Sequence, residues 1–172
     1  MPTTARGVFY PLSSAAVRIW EIIQQTAESV DDAIDAASTW VAEDDRTTSS
    51  TTVTTTETVV QFVSFTSAST TARYKITAIQ STQSSVADDN VQVRLRWATG
   101  GTVTTAGTQI ASALPNADKA GRGNTVTLVK TFVPGVTGTV TVGVTIVRAT
   151  GTGNVISFGS AQMVNTILVE KG

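Results

Sequence analysis

Residues 91–97 of the chain read Val-Gln-Val-Arg-Leu-Arg-Trp, so apolar and polar side chains alternate without interruption. Residues 139–146 repeat the pattern as Thr-Val-Thr-Val-Gly-Val-Thr-Ile. Successive side chains of a β-strand point to opposite faces, so each stretch predicts a strand with one face in a core and the other in solvent. Strands of this kind are typical of antiparallel sheets that pack face to face.

Eight segments with this period follow residue 52, and no helical pattern lies between them. The predicted strands are residues 53–65, 72–80, 91–98, 102–110, 125–133, 138–148, 154–158 and 163–170. Turn-forming glycine, proline, aspartate and asparagine residues separate most of them. Eight strands of this length predict a mainly β protein whose residues 53–172 form a jelly-roll-like antiparallel β-sandwich.

A helical periodicity precedes the strands. Read in steps of four and three, it gives a series of apolar side chains that we call the seam: Ala16, Trp20, Ile23, Ala27, Val30, Ile34, Ala37 and Val41. Such a series is typical of a coiled coil. We predict that Trp20, Ile23, Ala27, Val30, Ile34 and Val41 pack between copies of the chain. The β-branched residues favour trimers over dimers. An amphipathic helix packed on its own β-domain is the alternative.

The composition divides the chain into three parts. Residues 1–45 are predicted to form an N-terminal arm and an α-helix that serve as anchor and oligomerisation segment, with Phe9, Tyr10 and Pro11 as the anchor. Ser29 resembles a second helix start, so a break there is possible. Residues 46–52 are rich in threonine and serine and predict a hinge that lies against the domain or a neighbouring subunit. Residues 53–172 form the head.

The charge is divided unevenly between the two halves. Residues 1–45 hold two bases and eight acids, a net charge of −6, whereas residues 46–172 hold ten bases and five acids, a net charge of +5. A solvated acidic helix face is the simplest explanation. The alternative is that the acidic segment docks on a basic surface of a neighbouring subunit. The bases are too widely spaced to predict nucleic-acid binding.

The chain has neither cysteine nor histidine. Disulfides, thiolate or histidine metal sites and Ser-His-Asp or Cys-His catalysis are therefore excluded. No apolar run reaches the length of a membrane span, and residues 1–10 lack the apolar core of a signal peptide. We expect no enzyme activity, no cofactor and no membrane partner.

Two loops carry the remaining candidate residues. Asp88-Asp89-Asn90 offers oxygen ligands for a cation, but a plain turn is the favoured interpretation. Asp88, Asp89 and Asp118 are also the acids that a sugar hydrolase would use, which the scarcity of carboxylates disfavours. The longest connection is a possible surface recognition loop, because binding residues gather on loops. Its candidate residues are Asn116, Asp118, Lys119, Arg122 and Asn124.

Residues 7–14, Gly-Val-Phe-Tyr-Pro-Leu-Ser-Ser, and residues 24–31, Gln-Gln-Thr-Ala-Glu-Ser-Val-Asp, together carry a resemblance. This opening resembles that of small virion structural proteins of tailed bacteriophages, often labelled minor tail proteins. The resemblance implies a non-enzymatic, trimeric component of the virion surface, assembled in the host cytoplasm and in contact with other virion proteins. A capsid decoration protein and a carbohydrate-binding module for host surface glycans are the alternatives.

Overall fold

The computed structural model describes residues 14–37, 40–50 and 52–172, and it describes side chains for residues 19–30, 40–50 and 52–172. It divides the chain into two compact units, Met1–Thr39 and Trp40–Gly172. The predicted boundary after residue 45 therefore lies earlier, between residues 39 and 40. The predicted anchor residues Phe9, Tyr10 and Pro11 lie outside the described residues.

The first unit contains a single described helix, α1, which spans Ser14–Ala37. It begins at Ser14 and continues through Ser29, so the break considered there is not present. A hydrogen bond from Gln24 Nε2 to Glu28 Oε1, 2.9 Å long, links successive turns just before this point. Such i,i+4 side-chain pairs stabilise a helix surface.

The predicted helical seam runs to Val41, but the helix ends at Ala37. Trp40–Arg46 forms strand β1, which pairs antiparallel with the last strand of the chain. Val41 is therefore a strand residue, and its assignment to the helical seam is wrong. Tryptophan and valine favour strands, whereas the acids at positions 43–45 are rare in strands and suggested the end of a helix. Edge strands tolerate charge because it blocks unwanted pairing.

The second unit consists of two five-stranded antiparallel sheets, so the predicted antiparallel β-sandwich is confirmed. After β1 the strands are β2 Thr58–Ser67, β3 Tyr74–Ser84, β4 Asp89–Thr99, β5 Thr108–Ala113, β6 Asn116–Ala117, β7 Gly123–Phe132, β8 Gly138–Thr150, β9 Val155–Ser157 and β10 Asn165–Lys171. Sheet 1 has the order β1-β10-β3-β7, with β9 also paired to β3. Sheet 2 has the order β2-β8-β4-β5, with β6 also paired to β4.

The strand pairs are nested along the chain. Without the short strands β6 and β9, the first strand pairs with the last (β1 with β10), and β2 with β8, β3 with β7 and β4 with β5 follow inward. A long hairpin rolled into two sheets gives this order, which is what the jelly-roll prediction requires.

The core lies between the sheets and is filled by branched aliphatic side chains. The largest fully buried ones are Ile76, Leu95, Ile146 and Ile167. Burial of each contributes about 1.5–3 kcal/mol. The alternation in residues 91–96 matches burial as predicted, with valine and leucine buried and glutamine and arginine partly exposed. At one edge Trp97 packs on Phe132 with ring centres 5.7 Å apart.

Strand β8 differs from the prediction because both of its faces are buried. Thr141 and Thr145, on the face opposite the core, have no exposed surface. Residues 100–107 form an irregular connection rather than the start of the predicted strand 102–110, and Val103 of this connection is itself buried. A Cβ atom at Gly143 would overlap the side chain of Val103, so glycine permits this close approach.

The connections gather at the two ends of the sandwich. The connections β1–β2, β3–β4, β5–β7 and β8–β10 lie at one end, which we call the loop end. The connections β2–β3, β4–β5 and β7–β8 lie at the opposite end, together with Trp40 and Gly172. We call this the Trp40 end. The loop end and the point where the chain enters the sandwich are therefore on opposite sides.

Candidate functional site

Most seam residues with described side chains are exposed on α1. The exposed fractions are 49% for Ile23 and 50% for Val30, Ala27 is also exposed, and Trp20 is partly buried. Ile34 lies in α1, but its side chain lies outside the described residues. Ile19 and Ile22 widen the apolar surface, with 57% and 61% exposed.

Exposed branched side chains spaced by seven residues form a continuous stripe, because seven residues make almost two helical turns. Ile23 and Val30 have this spacing. Water contact with such a stripe is unfavourable at roughly 25 cal/mol per Å² of apolar surface, so the stripe favours association.

The predicted hinge is attached to the sandwich at the loop end. The backbone N–H of Ser50 donates to the carbonyl of Ser157 at 2.8 Å, and that of Val53 donates to Val155 at 2.6 Å. The hydroxyl of Ser50 accepts from the N–H of Ser157 at 2.9 Å. The sequence predicts that the hinge lies against either its own domain or a neighbouring subunit. The described part of the hinge lies against its own domain.

The loop end is held together by hydrogen bonds between its connections. The N–H of Ser85 donates to Asn154 at 2.9 Å, that of Asp88 to Ala117 at 2.6 Å, and that of Gly121 to Ser84 at 2.8 Å. These bonds join the β3–β4 connection to the two connections beside it. The predicted recognition loop therefore has a fixed support, and a fixed loop loses less conformational entropy on binding than a mobile one.

The predicted recognition residues share this end, but they do not form one cluster. Asn116 begins β6, and its Nδ2 donates to Asn90 Oδ1 at 3.3 Å and to the Asp88 carbonyl at 3.4 Å. Nδ2 of Asn124 donates to the Asn116 carbonyl. These two side chains hold the loop closed, so they are positioning residues rather than free ligand contacts.

The tip of the loop presents the other three residues to solvent. Arg122 Nη1 lies 3.4 Å from Asp118 Oδ2, and the side chains are 64% and 59% exposed. An exposed pair of this kind contributes only about 0–1 kcal/mol to stability. Lys119 is exposed between them. Donors and acceptors that add little to folding remain available to a partner.

An acid and two arginines form a cluster on the outer face of sheet 2. Glu57 Oε1 accepts from Arg96 Nε at 2.8 Å, and Oε2 accepts from Arg94 Nη1 at 2.5 Å. The Thr145 hydroxyl also donates to this carboxylate. Burial raises the pKa of Glu57, but the hydrogen bonds from Arg96 and Thr145 and the charges of Arg96 and Arg94 outweigh it and lower the pKa below its ordinary value.

The Asp88-Asp89-Asn90 stretch is a turn, as favoured from the sequence. Asp88 has a left-handed backbone with φ of +64°, and the Asp89 side chain is buried. Asp89 Oδ2 accepts from Ser84 Oγ at 2.6 Å and from the N–H of Gly153 at 2.9 Å, while Oδ1 accepts from the N–H of Thr152 at 3.0 Å. Asp89 thus fixes the β8–β9 turn rather than facing a ligand.

These contacts also set the charge of Asp89. The hydrogen bond from Ser84 lowers the pKa of the Asp89 carboxyl, burial raises it, and the two backbone N–H groups and the charge of Arg148 lower it again. The net result is a pKa below the ordinary value. Because the Asp89 side chain is buried and its oxygens accept from these three donors, it does not face a substrate, which does not favour the hydrolase alternative.

Buried amide side chains join neighbouring strands of sheet 1 beneath the loop end. Asn165 accepts from the N–H of Ser81 at 2.7 Å and donates to Ser157 Oγ at 3.1 Å, and Gln80 Nε2 donates to the same hydroxyl at 2.7 Å. Among the described side chains, the buried Oε1 atoms of Gln61 and Gln80 make no hydrogen bond. A buried polar network of this kind rigidifies its surroundings.

The Glu57 cluster and the Asn165 network were not predicted. Their members are far apart in the sequence, so no local spacing of residues predicts these contacts. The alternation of residues 91–97 placed Arg94 and Arg96 on one strand face, which was predicted to face solvent. Within the described residues, no three acidic side chains converge on a point where a metal ion would bind. No described helix is long and apolar enough to cross a membrane.

No protein-family model matches this chain, and no curated protein sequence does. Among solved structures it is similar to that of the infectious bursal disease virus Gx strain, with a TM-score of 0.42 and 9% identity, and to the VP2 subviral particle of the same virus, with 0.41 and 8%. Each match covers 76% of this chain and 36% of the viral chain. This chain thus spans about a third of the length of those proteins.

Proposed function

We propose that the protein is a non-enzymatic virion structural protein whose N-terminal unit joins copies and whose sandwich is displayed on the particle surface. The observation that carries the proposal is the exposed apolar stripe of α1, in a chain whose sandwich has its own core. Ile19, Ile22, Ile23 and Val30 are each about half exposed or more. Such a stripe on a helix is the interaction surface of a coiled coil.

Three copies fit the stripe best. Val30 and Ile34 are both β-branched and occupy the two seam positions of the heptad, and β-branched residues at both positions disfavour dimers. Ile23 shares the position of Val30, and Trp20 and Ala27 share that of Ile34. The stripe therefore presents an alternation of large and small side chains that three parallel helices bury together.

The orientation of the sandwich supports an outward display. Trp40, where the chain enters the sandwich, lies at the end opposite the recognition loop. A protein held on the particle by its N-terminal segment, with Phe9, Tyr10 and Pro11 as the anchor, would direct Lys119 and Arg122 away from that attachment. This arrangement suits a minor tail or adhesion role.

The location on the particle follows the N-terminal resemblance to tailed-bacteriophage virion proteins. A minor tail protein is the first assignment, and a capsid decoration protein that stabilises the head is the second. The test is mass spectrometry of purified virions followed by imaging of particles whose copies carry a label at the loop end. Three-fold density on the tail supports the first assignment and three-fold density on the capsid supports the second. Absence from purified particles would overturn both.

Host glycan binding by the loop tip is a further candidate, favoured by the exposed hydrogen-bonding groups of Asp118, Lys119 and Arg122. The test is phage adsorption after Lys119→Ala and Arg122→Ala, with Thr105→Ala at the Trp40 end as the matched exposed control. Glycan recognition predicts reduced adsorption for the loop variants alone. Equal adsorption for all variants, with no signal on a glycan array, would remove this role.

A further inference from the structure

Three of the four sheet edges in the described part of the chain are interrupted, and the fourth is not. The edge strands are β1 and β7 in sheet 1 and β2 and β5 in sheet 2. The pairing of β1 skips Val41, that of β2 skips Val60 and that of β5 skips Ile110. An extra residue of this kind breaks the ladder and twists the edge, which hinders pairing with another chain. Strand β7 instead pairs with β3 through ten consecutive residues without a shift.

Side chains also occupy main-chain groups on two of the interrupted edges. Gln61 Nε2 donates to the Asp44 carbonyl of β1 at 2.6 Å, and Arg46 Nη1 donates to the Val60 carbonyl of β2. Alternate residues of an antiparallel edge strand direct their N–H and C=O groups away from the sheet. Outside the pairing with β3, no main-chain group of residues 125–133 has a hydrogen-bond partner among the described residues. The edge of β7 is therefore open.

The sequence of β7 favours pairing with a further strand. Residues 125–133 read Thr-Val-Thr-Leu-Val-Lys-Thr-Phe-Val, which are almost all strand formers, with Lys130 as the one charge. Thr77 of β3 lies between two buried residues, so Val129 opposite it faces outward, where it is 54% exposed. Natural edges usually carry charges, prolines or bulges that block association. A long edge with one charge and no bulge is a site for an added strand.

The sequence of β7 is also nearly symmetric about Val129. A two-fold axis between identical antiparallel strands places each residue opposite the one at the same distance on the other side of the centre. With Val129 at the centre, Thr127 lies opposite Thr131 of the second copy, and threonine pairs are favourable across strands. Lys130 lies opposite Leu128 of the second copy, so like charges are not paired. This symmetry selects a second β7 as the added strand, because the strands of the same chain already have their neighbours in the two sheets.

We infer that β7 of one copy pairs antiparallel with β7 of a second copy, with Val129 at the two-fold axis, so that sheet 1 continues from one sandwich into the next. The contact goes beyond the proposed assembly through the apolar stripe and does not depend on it. A two-fold contact joins two copies only, so it links copies that belong to different trimers. One edge pair is smaller than the roughly 1,200–2,000 Å² of a stable complex, so it forms where copies are crowded on a particle and not in dilute solution.

The test uses the natural absence of cysteine. The full chain with Val129→Cys is concentrated, incubated with oxidised glutathione and separated on a denaturing gel. Thr66→Cys is the matched control, because Thr66 is an exposed residue of the edge strand β2. A disulfide needs its two Cα atoms within about 7 Å, so the proposed pairing predicts a dimer band roughly tenfold stronger for Val129→Cys than for Thr66→Cys.

Two charge variants in the Val129→Cys chain test the register. Thr127→Lys with Thr131→Lys places like charges opposite each other on both sides of the axis, which should weaken the dimer band roughly tenfold. Thr127→Glu with Thr131→Lys changes the same exposed positions but places opposite charges together, so the band should persist. Circular dichroism of the strands checks that both variants keep the fold.

Dimer bands of equal strength for Val129→Cys and Thr66→Cys would overturn the inference. A band that persists with two lysines, or that both charge variants weaken equally, would overturn it as well. Capture of Val129→Cys by another protein in purified virions, without the homodimer, assigns the edge to that protein and counts against a second copy. Light scattering under reducing conditions measures the stripe contact separately. A single-chain mass there contradicts the proposed trimer and leaves the result for β7 unaffected.

Discussion

Glu57 and Arg96 form a two-point ion pair on the outer face of sheet 2. Arg96 Nε donates to Oε1 at 2.8 Å and Nη2 donates to Oε2 at 3.1 Å. Glu57 belongs to the β1–β2 connection and Arg96 to β4. Arg96 Nη1 also donates to the Gly107 carbonyl at 2.8 Å. One guanidinium thus fastens two connections to the sheet between them.

Replacement of Glu57 by glutamine should destabilise the sandwich by about 1–3 kcal/mol. The change leaves Arg94 and Arg96 partly buried without their counter-charge, and hydrogen bonds to charged groups are the costly ones to lose. The measurement is the midpoint of urea unfolding followed by the circular dichroism of the strands.

Asp118→Asn is the matched control, because it removes the acid of an exposed pair with Arg122. Its expected effect is below about 0.5 kcal/mol. Equal effects of the two substitutions would show that the Glu57 cluster has no special role in stability.

Stability should fall on acidification and change little between pH 6 and 8. The folded-state pKa values of Glu57 and Asp89 lie below their ordinary values of 4.5 and 3.8, so the unfolded chain binds more protons in this region. The stabilisation is present above the ordinary values and is lost as pH falls through the lowered ones. The chain has no histidine to titrate near neutrality.

Urea unfolding between pH 2 and 8 checks this dependence. The double variant Glu57→Gln, Asp89→Asn should show a shallower acid limb than the natural chain, although it starts from a lower stability. An unchanged slope would mean that other carboxyls control the acid response.

Gly151→Ala should destabilise the protein by about 3 kcal/mol or more. Gly151 has φ of +99°, and a Cβ atom there would overlap the Asp89 carboxylate. Gly101→Ala is the control, because no atom lies within 4 Å of its Cβ position. We expect less than about 0.5 kcal/mol for the control. Thermal unfolding of both variants is the measurement, and similar melting temperatures would contradict the described turn.

The alternation of side chains was enough to predict the sandwich and most of its strands. It worked because residues such as 91–96 bury one face only, so the sequence period and the burial period agree. It failed where another signal was stronger. The acids of β1 concealed a strand, and the threonines of β8 suggested a solvent face that Glu57 and the 100–107 connection cover.

The candidate site was predictable only in part. The loop proposed for recognition could be identified as a long polar connection, but the contacts of its side chains could not. Asn116 and Asn124 close the loop, whereas Lys119 and Arg122 are presented by it. Contacts such as Glu57 with Arg96 join residues that are 39 positions apart. Local patterns carry no information about such pairs, because the fold alone brings them together.

The central claim is that the apolar stripe of α1 joins three copies of the chain. The mass of the full chain in solution tests this claim most directly. Light scattering coupled to gel filtration should give three times the chain mass for the natural protein and for Gln25→Asp, which changes the opposite helix face. Ile23→Asp with Val30→Asp should give a single-chain mass while the circular dichroism of the strands is retained. A single-chain mass for the natural protein, or trimers that survive both aspartates, would contradict the account.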